Sequence, residues 1–150
     1  MVRASFDAAA LVQTLKNATG KMPGRLREAM DISVRDVQER ARKDHRFVTR
    51  SGKAEASIET SVTVNGNHVS GAVFTALPHA VFQHDGTRAH TITPRSKKAL
   101  RWSDGGGFVF AKRSQVAGIQ GDPYLYNALA DEQVSIVSRF EAIGGLLKGG

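Results

Sequence analysis

The sequence predicts an α+β domain: N-terminal helices and a C-terminal helix packed on a small antiparallel β-sheet that carries a long basic loop. Three observations lead there. Apolar residues recur at three- and four-residue steps over about 24–45 and again over 125–143, the period of a helix with one buried face. Between these stretches the period falls to two, over 56–64 and 68–76, with Asn65-Gly66 between the runs. A chain of 150 residues accommodates both patterns in a single domain, 1–150, with one core.

The elements follow in order. Residues 5–17 read as a short helix with Phe6, Leu11, Val12 and Leu15 on one face, making 1–22 an N-terminal arm or short helix that ends at Thr19-Gly20 and Pro23-Gly24. The helix at about 24–45 buries Leu26, Met30, Val34 with Ser33, Val37 and Ala41, and turns Arg27, Glu28, Arg35, Glu39 and Arg42 outward. Its end is basic (Arg40, Arg42, Lys43, Arg46), where cations suit the negative pole of the helix dipole. Thr49 to Lys53 is a polar loop. In the first strand Ile58, Val62 and Val64 share a face opposite Ser57, Glu59, Ser61 and Thr63; Asn-Gly accepts the positive φ angles of a tight turn, and the second strand carries Val69 and Val73 around Ala72 and Phe74. Pro78 ends it. The run from His79 to His84 fits a helical turn or a strand, and Asp85-Gly86-Thr87 a tight turn.

Thr91 to Thr93 and Ala99 to Trp102 read as short strands joined by the basic loop 94–98. The turn at 104–107 leads to Phe108 to Ala111, giving a second hairpin. Asp122-Pro123 reads as a helix start, an N-cap acceptor followed by proline in the first turn. Leu125, Ala128, Leu129, Val134, Ile136, Val137, Phe140 and Ile143 form the apolar side of the closing helix; Gly144-Gly145 stops it, leaving 144–150 as a frayed tail.

Cysteine is absent, which removes disulfides, thiol nucleophiles and cysteine-ligated metal sites. No apolar run reaches the ~20 residues of a membrane span, and the stretch 1–15 is too polar for a signal peptide, so an intracellular protein without membrane contact is expected. The net charge of +7 is uneven: 1–34 carries +2, 35–53 carries +4, 54–85 carries −3, 86–113 carries +6 and 114–150 carries −2. Two basic blocks thus flank an acidic middle, which suits nucleic acid or an acidic protein surface equally.

Catalytic constellations are not built. Gly52-Lys53 lacks the rest of a phosphate-binding loop, with Phe47 where a glycine is needed and Ala54 where Ser or Thr is needed. There is no Gly-x-Ser-x-Gly elbow, and Asp131-Glu132, the one adjacent carboxylate pair, diverge on a helix. Of His68, His79, His84 and His90, the last three with Asp85 supply zinc-type donors, but gaps of five and six residues fit no two-His helical motif. No catalytic residue, metal or cofactor is expected, and the chain does not read as an enzyme. The strongest binding feature is the cationic stretch Arg95, Lys97, Lys98 and Arg101, with Lys112-Arg113 nearby. Beside it, Trp102 reads either as a base-stacking residue or, from its alternation with Leu100, as a core anchor.

Residues 79–130 resemble a known family. The run His79-Ala80-Val81-Phe82-Gln83-His84-Asp85-Gly86-Thr87-Arg88-Ala89-His90 is followed by Ile92, Pro94, Lys97-Lys98, Ala99-Leu100-Arg101-Trp102 and Phe108-Val109-Phe110-Ala111-Lys112. Asp122-Pro123-Tyr124-Leu125-Tyr126-Asn127-Ala128-Leu129 then opens the last helix. This order is similar to that of the minor tail, tail-completion and neck proteins of long-tailed bacteriophages, with looser likeness over 20–145. The family's Tyr-Ala is His79-Ala80 here, and its Thr-Gly-x-Leu loop is matched only loosely by Thr49 to Lys53.

The resemblance implies a structural virion protein at the head–tail junction or head-proximal tail, assembled from the host cytoplasm. Implied partners are other neck and tail proteins (connector or stopper, tail terminator or tube) and further copies in a closed ring, six by analogy with tail symmetry. Contact with DNA in the channel is compatible with this. Gly86, Thr87, Arg88, Arg95, Lys97, Lys98, Arg101, Lys112 and Arg113 are the interface candidates that follow. A small basic protein binding nucleic acid without sequence preference is the competing reading.

Overall fold

The computed structural model describes residues 1–7, 22–66 and 68–148. Its elements are β1 (Val2–Asp7), α1 (Met22–Lys43), α2 (Lys53–Ala56), β2 (Glu59–Asn65), β3 (His68–Thr75), α3 (Pro78–Asp85), β4 (His90–Ile92), β5 (Leu100–Ser103), β6 (Phe108–Ala111), β7 (Ser114–Val116) and α4 (Tyr124–Lys148). The fold is α+β, with every strand pairing antiparallel. The main sheet has the order β1-β3-β2, and two two-stranded sheets, β4-β7 and β5-β6, stand beside it.

The core is organised by α1. Leu26, Ala29, Met30, Val34, Val37 and Ala41 are all buried, as the three-to-four spacing requires. One side of this stripe meets the sheet face made by Val62 and Val64 of β2 and Val69 and Val73 of β3; the other meets Leu125, Ala128, Ile136 and Phe140 of α4, which also packs on β1, where Val2 and Ala4 are buried. Each fully buried Val, Leu or Met side chain contributes about 1.5–3 kcal/mol. Gly71 sits in register between Phe6 and Val62 at the centre of β3. A Cβ there would lie 2.6 Å from Val34 Cγ1 and 2.7 Å from Met30 Sδ, so the glycine sets how closely α1 approaches the sheet.

Polar contacts fix the pairing of the two long helices. Arg139 donates to Asp36 Oδ2 at 2.6 Å and to Ser33 Oγ at 2.6 Å, while buried Ser33 donates to the Ala29 carbonyl at 2.7 Å. Arg40 donates to Glu132 Oε1 at 2.5 Å. At the far end of β3 the Thr75 and Ser57 hydroxyls lie 2.8 Å apart, and Gly66 makes the β2–β3 turn with φ of 59°.

Several expectations are corrected. Residues 5–7 belong to strand β1 and not to a helix, because Val2 and Ala4 alternate into the core and the chain pairs along β3 as far as Asp7; the remainder of the 5–17 helix lies outside the described residues. The 49–53 loop runs into the short helix α2, which the sequence pattern missed. The 91–93 and 99–102 strands join different sheets, and β7, also missed, partners β4. The 79–84 run is helical, opened by Pro78 in the first turn. Asp122 is not an N-cap for α4: its carboxylate accepts from the Arg46 backbone N–H at 2.5 Å, and the Asn127 N–H bonds to the Pro123 carbonyl instead. Gly144-Gly145 do not stop α4, which continues to Lys148; residues 149–150 lie outside the described residues. Val134 and Val137 face solvent, as does Trp102, which is 40% exposed and no core anchor.

Substituting Gly71→Ala forces Val34 or Met30 off its packing position and is expected to destabilise the fold by about 1–3 kcal/mol. Gly107→Ala, with open space around the new methyl, changes stability by less than about 0.5 kcal/mol. Urea unfolding midpoints of the two variants test the contrast.

Candidate functional site

Between α3 and α4 the chain leaves the core. No residue from Gly86 to Gly121 is buried, although every other element of the fold that spans ten or more residues places several side chains in the core. This segment, the arm, is one interrupted antiparallel ribbon. Thr87 bridges Ile119, and His90, Thr91 and Ile92 pair with Val116, Gln115 and Ser114 in the same register. The strands then part, with 93–99 on one side and only 112–113 on the other, and pair again as Leu100 to Ser103 against Ala111 to Phe108. The turn at the tip is closed by the Asp104 N–H to the Gly107 carbonyl at 3.3 Å and the Gly106 N–H to Asp104 Oδ1 at 3.0 Å, with Gly105 at φ 89°.

The unequal lengths at the interruption place the expected basic residues together. Arg95, Lys97 and Lys98 lie on the long side and Lys112 and Arg113 on the short side, all exposed. Arg101 lies one step beyond and Arg88 near the root. Among the described residues none of these seven cations has a carboxylate partner. Segment 86–121 holds one acid, Asp104, and a net charge of +6.

Antiparallel register also sorts the hairpin side chains by face. Arg101 opposes Phe110 and Ser103 opposes Phe108, so these four share one face; Leu100, Trp102, Val109 and Ala111 share the other. The second face is partly covered. The first is open, with Phe108 61% and Phe110 65% exposed. The Arg101 guanidinium lies 4.1 Å from the Phe108 ring centroid, a cation–π contact on the open surface. Sequence alternation located this strand pair. It carried no signal that the aromatics have nothing to pack against, because exposure depends on which layer lies across the sheet.

The root of the arm is held by backbone. The Thr87 N–H donates to the Ile119 carbonyl at 2.9 Å, the Ile119 N–H to Thr87 Oγ1 at 3.1 Å, and the Asp122 N–H to the Gln83 carbonyl at 2.9 Å. Gly86 ends α3 at φ 78°, and a Cβ there would meet the Ile119 carbonyl oxygen at 2.6 Å and the Gly121 nitrogen at 2.7 Å. Thus two of the interface candidates, Gly86 and Thr87, are spent on the clasp, whereas Arg88 is exposed.

Beneath the clasp, Tyr124 is fully buried among Phe47, His84 and His45, and its hydroxyl donates to the Ala80 carbonyl at 3.3 Å. Burial, reinforced by the Asp122, Glu55 and Asp85 carboxylates, pushes its hydroxyl up to about 12. His84 is buried with Nδ1 2.7 Å from Asp85 Oδ1 and no partner at Nε2. His79 and His90 are exposed, and no three His, Asp or Glu side chains converge on a metal-sized site among the described residues. A cleft of about 650 Å³ opens beside the root, lined by Arg46, Arg50, Lys53, Glu55, His79 and Gln83 among others. Burial opposes ionisation of Glu55, but the Thr49 hydroxyl, its own backbone N–H and His45 outweigh that and hold its carboxyl below the usual value.

Two outcomes follow from this root. Gly86→Ala breaks the clasp, so amide exchange over 87–92 and 114–119 rises sharply while α1 remains protected. Neutral Tyr124 contributes stability that is complete below pH 10 and is lost as pH rises through about 12, because the unfolded chain ionises first. Tyrosinate absorbance of the Tyr126→Phe variant, which leaves one tyrosine, follows this titration.

No protein-family model, curated protein or solved structure matches the chain.

Proposed function

We propose that this chain is a structural component of a bacteriophage head–tail junction, a neck, tail-completion or tail-terminator protein that works through ring-type contacts between subunits. The observation that carries the reading is the arm. A folded segment that buries none of its own side chains, yet exposes Phe108, Phe110, Trp102, Ile92 and Ile119, is built to be covered by another protein. The family resemblance over 79–130 spans this arm, its root and the start of α4. The arm's cations keep it hydrated until it is covered, and a neighbouring subunit or junction protein supplies the missing layer.

A second reading is favoured by one specific observation. Trp102, Phe108 and Phe110 are accessible beside seven cations, an arrangement that tracks a phosphate backbone and stacks bases without reading sequence.

Disruption of the gene in the parent phage tests the first reading. Electron microscopy of lysates is expected to show full heads beside detached or aberrant tails; normal infectious particles overturn it. Steeply salt-dependent DNA binding by the purified protein, together with normal particles, selects the second.

A further inference from the structure

We propose that the open face of the β5–β6 hairpin docks on the outer face of α4 of a second copy of this chain. The proposal rests on the reading of the arm as an assembly element and names its partner surface. Outside the arm, α4 is the only described element that exposes more than one large apolar side chain: Tyr126, Val134 and Val137. With exposed Ala130 these fall at steps of three and four, so they form one stripe on the side of α4 turned away from α1. Val134, 76% exposed, is the most exposed of the three large side chains.

Charge selects the occupant. The other acids and bases of the helix middle are committed inward, Glu132 to Arg40 and Arg139 to Asp36, which leaves exposed Asp131 and Glu141 beside the stripe. An apolar stripe edged by carboxylates fits a partner that is aromatic and cationic. The face bearing Arg101, Phe108 and Phe110 has that chemistry, with the rings 61% and 65% exposed, whereas the Arg3–Phe74 pair on the main sheet is looser, at 5.8 Å, and its ring is half-buried. Within one copy both surfaces are open, so the hairpin is not seated on its own α4. The contact joins two different patches, hence it is heterologous: it repeats from copy to copy and either closes into a ring or continues as a filament.

The absence of cysteine makes the test direct. Ser103→Cys lies on the hairpin's open face and Gln133→Cys beside Val134 on the stripe, both exposed positions. Under oxidation a mixture of the two single variants is expected to give a disulfide-linked dimer, while each variant alone stays uncrosslinked. Adding Phe108→Ser and Phe110→Ser to the Ser103→Cys chain is expected to lower the yield about tenfold or more, with an unchanged melting transition, since neither ring contributes to the core. Self-crosslinking of the Ser103→Cys variant shows a hairpin–hairpin contact and overturns the proposal, as does the absence of mixed dimer at the highest soluble concentration. Either failure leaves the junction reading standing if gene disruption still yields full heads and detached tails.

Discussion

The fold depends on one close approach, that of α1 to the centre of β3 over Gly71. Because Met30 and Val34 come down on a residue without a side chain, the helix lies low enough for both of its flanks to be used. The flank toward β2 closes the sheet face, and the flank toward α4 receives Phe140 and Leu125. A bulkier residue at 71 lifts the helix and loosens both layers together. The Arg139–Asp36 and Arg40–Glu132 pairs then set the relative placement of the two helices, but they follow from the packing and do not create it: partly exposed pairs of this kind add modestly to stability.

That single core has no room for the arm. The segment from Gly86 to Gly121 leaves through a backbone clasp and returns through it, so the arm's position is set by hydrogen bonds between Thr87 and Ile119 and by glycines that let the strands touch. Beyond the clasp each step outward loses contact with the core while the aromatic content rises. Normal folding logic places such residues inside. Here the core is complete without them, and their exposure is a property of the architecture.

The legible parts of the sequence were those where one face of an element meets the core. The α1 stripe, the Asn65-Gly66 hairpin and the β5–β6 pair all follow from period and turn chemistry. Strand β1 was misread because six residues of Val-Arg-Ala-Ser-Phe-Asp carry a short alternation, and the alanine-rich sequence after them favours a helix. Strand β7, three residues with one apolar side chain, has no local signal at all; its identity comes from β4, more than twenty residues away. Gly144-Gly145 are weak helix formers, but proximity to the Phe140 and Ile143 contacts carries α4 through them. The basic cluster was visible as composition, whereas its assembly from two sides of the ribbon needed the register, and the open faces of the hairpin and of α4 needed the third dimension.

Charge gives the arm a direction. Two hairpins brought face to face would oppose two segments of +6, with no acid other than Asp104 to relieve them, so symmetric arm-to-arm pairing is electrostatically disfavoured. The edge strands of each ribbon are guarded in the same way, by Arg101 on one and by Lys112-Arg113 at the end of the other, which resists open-ended strand addition. A surface both apolar and acidic escapes this repulsion, and α4 offers one. The distribution of cations thus acts as a filter on the geometry of association: contacts between unlike patches survive it, and unlike patches are what a ring requires.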